Sequence, residues 1–270
     1  MENVINMEND YMHPFKMWGN LYFVGTKPAS CHIIDTGDGL IMLDTGYQQT
    51  LYVVIDSMYR LGLNPRDIKY ILITHGHIDH MGGAKALRDL TGAKIALGKA
   101  DKEYATGELD LSYAKELGME FNETFEPDIL LNDGDEITLG STTVRAVATP
   151  GHTPGAMSFI FNVTDGTNTY TAGLHGGMGI NTMCKEFLDK YGLSYDCRSE
   201  FKKAMDNLKN EKVDIFLGNH MQHNDTEGKY YKILDGVENA CIVPEEWAEY
   251  AEWSKQNLIN MEENEKKENN

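Results

Sequence analysis

Between Thr74 and Gly83 the chain packs three imidazoles (His75, His77 and His80) and one carboxylate (Asp79) into six consecutive residues. Residues 69–74, immediately before, form a short β-branched, apolar run and read as a buried strand. Gly82-Gly83, immediately after, opens residues 84–90, which read as a helix. The polar set therefore sits at the C-terminal mouth of a strand, on a turn facing a helix. A divalent metal needs neutral imidazole nitrogens and carboxylate oxygens converging on one point, and this stretch supplies both. His75 and His77 are two apart, so an extended turn can aim both at one ion. Asp79 and His80 then point to a neighbouring position. A polar loop that merely happens to be rich in His is a poor competitor, because only nine His occur in 270 residues.

The elements around this stretch alternate between strand and helix patterns. Residues 20–25, 30–35 and 40–44 read as strands, the last two joined by the hairpin signal Gly37-Asp38-Gly39. Residues 50–61 carry apolar side chains at helical spacing (Leu51, Val54, Ile55, Met58, Leu61) and read as an amphipathic helix. Strands follow at 94–97, 129–131, 136–139, 142–148, 156–161, 169–171 and 213–217, and helices at 199–210 and 244–258. The polar stretch 99–125 either shapes a pocket or covers the core. Residues 1–17 are expected to be a loosely held arm, 18–258 one domain, and 259–270 a disordered tail of Glu, Lys and Asn. Several hairpins followed by helices predict two mixed β-sheets face to face with helices outside, an α/β fold.

Composition narrows the partners. A net charge of −18 and the lack of a Lys/Arg cluster argue against nucleic acid, which demands basic surface. The four Cys show no Cys-x-x-Cys spacing and read as reduced thiols. The acidic first residues have neither a basic n-region nor an apolar h-region, and no stretch is long enough to span a membrane. The chain is therefore expected to be cytoplasmic, or exported if the sequence is a mature form, and to act on a small molecule.

Further His residues stand at strand ends. His152 lies in Thr149-Pro150-Gly151-His152-Thr153-Pro154-Gly155, where two Pro and two Gly fix the backbone and leave the imidazole exposed. His220 follows the strand 213–217 in Gly218-Asn219-His220, with His223 as a competing candidate better suited to the surface. Asp44, before Thr45-Gly46, reads either as a hydrogen-bonding support for the metal loop or as a turn residue. His32 lies on an apolar strand and reads as core.

The motif His-x-His-x-Asp-His after a strand resembles the signature of the metallo-β-lactamase fold hydrolases. The similarity runs from about Leu21 to Glu249 and includes Val24-Gly25-Thr26, Leu43-Asp44-Thr45-Gly46 and the order of the His residues. The resemblance implies a four-layer αββα sandwich. It also implies that His75, His77 and His152 hold one Zn2+ and that Asp79, His80 and His220 hold a second. Many members carry a bridging Asp after the strand that corresponds to 169–171. Here that stretch reads Ala172-Gly173-Leu174-His175-Gly176-Gly177, with no carboxylate, and the Cys of the first lactamase subclass is absent too. The pattern is most similar to the third subclass, although that subclass has Ser near Gly173 and His175. Gly173 and Leu174 are expected at the substrate, and His175, at the same strand end, reads either as a pocket residue that contacts substrate or as a plain loop residue.

The implied activity is a dizinc hydrolase in which a metal-bound hydroxide attacks an amide or ester carbonyl, Asp79 orienting it or passing a proton. A β-lactam is the substrate nearest by resemblance, with a lactone, thioester or other ester as the alternative. An iron-dependent persulfide dioxygenase-like enzyme or a non-catalytic relative fits less well.

Overall fold

The structure is a computed structural model that describes residues 5–268. The first sheet has seven strands in sequence order: β1 (Phe15–Trp18), β2 (Leu21–Phe23), β3 (His32–Asp35), β4 (Leu40–Leu43), β5 (Ile68–Ile73), β6 (Lys94–Gly98) and β7 (Ile129–Leu131). β1 to β4 pair antiparallel and β4 to β7 pair parallel. The second sheet has the order β12-β11-β10-β9-β8, from β8 (Glu136–Leu139), β9 (Thr142–Ala148), β10 (Met157–Thr164), β11 (Thr169–Leu174) and β12 (Ile215–Leu217). Only β11 and β12 run parallel there, so both sheets are mixed.

Strand alternation builds the layers. On β4, Ile41 and Leu43 face the second sheet, where Phe159, Phe161, Leu174 and Leu217 meet them. Leu40 and Met42 face the other way, onto Val54 and Met58 of the helix Leu51–Arg60 and Leu87 of the helix Ala84–Thr91. The outer face of the second sheet packs Ile160 and Phe216 on Phe201, Met205 and Leu208 of the helix Asp196–Leu208 and on Trp247 and Ala251 of the helix Glu245–Glu268. The result is the expected αββα sandwich. All four Cys are free thiols. Among the described residues no helix is long and apolar enough to cross a membrane.

Both ends depart from expectation. The arm is tied down: Phe15–Trp18 adds β1 to the sheet edge, and Met12, Phe15 and Met17 are buried in the inter-sheet core. The tail is not disordered up to Glu268, because the last helix continues through Met261. Glu262 pairs with Lys202 at 2.8 Å and Glu265 with Arg198 at 2.8 Å, so the adjacent helix neutralises the acidic stretch. Asn269 and Asn270, also expected to be disordered, and Met1 to Val4 of the arm lie outside the described residues. Helices at Lys185–Tyr191 and Thr226–Leu234 were not anticipated.

Candidate metal centre

Three strand ends converge at one rim of the sandwich. β5 delivers His75 and His77 on a turn, and the short helix Ile78–Met81 then carries Asp79 and His80. The turn after β9 supplies His152 and the turn after β12 supplies His220. His75, His77 and His152 form one cluster and Asp79, His80 and His220 another, the ligand atoms of each lying within 4.8 Å of one another. The clusters are adjacent, with the His75 and His80 ring centres 4.1 Å apart. All of these residues except His80 line a cleft of about 360 Å³ bounded also by Tyr47, Tyr113 and Asn219.

Hydrogen bonds at Nδ1 set the tautomers. His152 Nδ1 meets the Gly179 carbonyl at 2.7 Å, and His220 Nδ1 meets the Pro28 carbonyl at 2.5 Å. A carbonyl only accepts, so each Nδ1 carries the proton and each Nε2 keeps its lone pair. His80 Nδ1 donates likewise to Asp44 Oδ2 at 2.9 Å. Thr74 Oγ1 donates to the same oxygen at 2.8 Å and so accepts from His75 Nδ1 at 3.1 Å. His75 Nε2 is buried without a hydrogen-bond partner among the described residues, and His80 Nε2 faces Asp79 Oδ2 at 3.1 Å. An orphaned His75 nitrogen, with the Nε2 atoms of His80 and His220 gathered on Asp79 Oδ2 at 3.1 and 3.6 Å, belongs to a donor set that a zinc-type cation satisfies, so these residues fit metal.

Electrostatics agree with that fit. Burial, with neighbouring imidazoles, holds His75 and His77 well below the ordinary 6.5, and burial takes His152 to about 4. All three are neutral at pH 7, as ligation requires. Burial also works against a charged His80, but Asp79 and Asp44 outweigh it and raise His80 to about 10. Asp79 is held low by His80, His220 and His77 against the upward push of its own burial. In this state His80 keeps a proton between two carboxylates, and a bound cation would take that proton's place.

Asp44 takes the supporting position, bonding both Thr74 N (2.7 Å) and Thr74 Oγ1 (2.8 Å) as well as His80. Its φ of 54° is left-handed, which Asp tolerates better than most residues. Three residues expected at the substrate are not on the cleft wall. Leu174 and His175 are buried in the interior, and a Cβ on Gly173 would strike Trp247 and Val213. The strand β11 continues through 174 and carries them beneath the rim, where His175 stacks on Tyr250 with ring centres 5.3 Å apart. His223, expected at the surface, borders the cleft between His175 and His220 (5.2 and 5.0 Å).

The sequence reading missed two residues of this region. Tyr113, in the polar stretch after β6, has a left-handed φ of 64° and sets its ring 5.3 Å from that of His77. Asp101, at the end of the turn Lys99–Asp101, is wholly buried beneath the metal loops. Burial pushes its carboxyl up to about 6 against the pull of three hydrogen-bond donors. A bulky, half-polar loop after β6 hinted at the first, and nothing local hinted at the second.

The sandwich and its rim of imidazoles are those of a metal-dependent hydrolase. Residues 24–165 match the model of the Metallo-beta-lactamase superfamily, and the chain belongs to that family. Its fold superposes on BJP-1, a subclass B3 metallo-beta-lactamase of Bradyrhizobium japonicum, with a TM-score of 0.84 and 28% identity, covering 97% of this chain and 98% of that one. GOB-18 from Elizabethkingia meningoseptica gives 0.83 and 26%, covering 98% and 97%. Among curated sequences, the uncharacterized protein YobT of Bacillus subtilis is 27% identical over 63% of this chain and 72% of its own length. A hydroxyacylglutathione hydrolase of Francisella tularensis subsp. novicida is 32% identical over 145 residues, 48% of this chain and only 50% of that protein.

Proposed function

We propose that this chain is a dizinc hydrolase of small molecules bearing an amide or ester carbonyl, with β-lactams as the first substrate class to try. The reading rests on one observation: two separate donor triads stand side by side at a single cleft, with four Nδ1 atoms tied back so that the Nε2 atoms point inward. His75, His77 and His152 would hold one zinc, and Asp79, His80 and His220 the other. Bound there, a metal pair lowers the pKa of water toward about 7 and polarises a carbonyl. Asp79 lines the cleft and would orient the attacking water and take its proton. Asp44 and the Gly179 and Pro28 carbonyls keep the imidazoles from turning, which holds the reacting geometry before substrate arrives.

One observation favours a second substrate class. Because Gly173 to His175 lie inside the fold, the cleft lacks the Ser contacts that the third lactamase subclass offers a β-lactam carboxylate. A thioester or lactone needs no such contact, and the relatives include a hydroxyacylglutathione hydrolase. The test is zinc content followed by turnover of a carbapenem, a cephalosporin, a lactone and a thioester, with His77→Ala as control. About two zinc per chain and turnover abolished by His77→Ala would support the reading. A protein that takes up no zinc would sink it.

A further inference from the structure

We propose that Asp101 is a positioning residue dedicated to one metal cluster: it fixes the distance between the His75–His77 turn and the His152 turn, and leaves the Asp79–His80–His220 cluster alone. The inference rests on the reading of these His residues as metal ligands.

The first cluster is split across the sandwich. His75 and His77 leave the first sheet at the end of β5, whereas His152 leaves the second sheet at the end of β9. Something must hold the two turns in register, or the three Nε2 atoms cannot share an ion. Asp101 reaches both. Its Oδ2 accepts from Gly76 N at 2.8 Å, between His75 and His77, and from Thr153 Oγ1 at 2.6 Å, next to His152. Its Oδ1 accepts from Gly155 N at 2.6 Å, three residues after His152. No atom of the second cluster is among these partners.

The surrounding glycines are shaped to this carboxylate. A Cβ on Gly155 would lie 2.4 Å from Asp101 N and 2.7 Å from Asp101 Cγ. A Cβ on Gly98 would lie 1.9 Å from the Gly155 carbonyl oxygen, and one on Gly76 would lie 2.8 Å from Tyr104 Cβ. Only glycines let the two turns close on the strut. The carboxylate is equally specific. Both oxygens face a backbone N–H, so an Asn at this position would always turn its NH₂ toward one of them.

The test is a zinc titration of Asp101→Asn against a chromophoric chelator, beside wild type. We expect one of two zinc equivalents to weaken ten- to a hundredfold, the range for loss of a ligand-orienting partner, and the other to change less than about threefold. Leu208→Ala, a core truncation on the far face of the second sheet, should lower the melting temperature without splitting the two affinities. In zinc-free protein, amide exchange at Gly76 and Gly155 should speed at least about tenfold in Asp101→Asn, while that at Met81 stays within about twofold. Thr153→Val, which deletes one donor, carries the same test should Asp101→Asn fail to fold. A wild type binding no zinc overturns the metal reading. A wild type binding two, with the variant matching it at both or weakened equally at both, overturns the role of Asp101 alone.

Discussion

Asp44 Oδ2 accepts a hydrogen bond from His80 Nδ1 at 2.9 Å, and both side chains are withdrawn from solvent. The bond fixes which nitrogen of His80 faces Asp79. Asp44→Asn keeps the left-handed backbone comfortable, since Asn accepts it as readily as Asp. It replaces one carboxylate oxygen by a donor, so either His80 Nδ1–H or Thr74 N–H loses its acceptor. The expected outcome is a loss of roughly 3 kcal/mol in urea unfolding, the scale for breaking a buried charged network, and ten- to a hundredfold weaker zinc binding. Zinc affinity equal to wild type would show that His80 needs no such support.

Gly177 lies against His152 more closely than any side chain permits. A Cβ there would be 2.0 Å from His152 Cδ2 and 2.7 Å from Cγ. Gly177→Ala therefore swings the imidazole away from His75 and His77 without touching the core of either sheet. Displacing a reacting group by about 1 Å costs on the order of a hundredfold in rate, so kcat should fall by about that much while the far-ultraviolet spectrum is unchanged. A variant with full kcat would mean that His152 has room to yield, against the contact the structure shows.

Tyr113 holds a backbone conformation that bulky residues rarely adopt, at a cost of about 1–3 kcal/mol. It is kept there because Ser112, its neighbour, accepts from Ile78 N at 2.9 Å, which ties the loop to the metal motif. Its ring borders the cleft beside His77 and also lies 6.0 Å from that of Phe187. Tyr113→Gly relieves the strain and removes a wall of the cleft. KM should rise several-fold with kcat within about threefold, and the unfolding midpoint should hold or increase. A collapse in kcat at constant KM would instead place Tyr113 among the reacting groups.

How much of this could be read beforehand depended on how locally each feature is encoded. The His75-to-His80 stretch is legible because its donors are neighbours in sequence. His152 and His220 are legible because Pro and Gly mark strand ends around them. Asp101 was invisible: its partners Gly76 and Gly155 are 25 and 54 residues away, and Lys99-Ala100-Asp101 reads as an ordinary turn. The misplacement of Gly173, Leu174 and His175 came from ending β11 too early, which left the buried residues seemingly at a loop. The tail was misjudged for the same non-local reason, since its Glu residues find their cations on a helix some 60 residues earlier.

His32 was expected to be a core residue, and it is: fully buried, edge-on to Phe23, with neither ring nitrogen hydrogen-bonded among the described residues. Burial lowers its pKa from the ordinary 6.5 to about 3. Above pH 6.5 the imidazole is neutral in folded and unfolded chains alike, and it contributes no pH dependence. Between 6.5 and about 3 the unfolded chain takes up a proton that the folded chain refuses, so stability falls as pH falls, by about 1.4 kcal/mol per unit. His32→Leu removes this term and also the buried, unpartnered nitrogens, at a packing cost under about 1.5 kcal/mol. Unfolding free energies of zinc-free wild type and variant, from urea titration, should be close at pH 8 and separate in favour of the variant by about 3 kcal/mol at pH 4. The zinc-free form keeps acid release of metal out of the comparison. Parallel curves for the two proteins from pH 8 to pH 4 would mean that His32 is protonated in the folded state after all, with a partner or water reaching its ring.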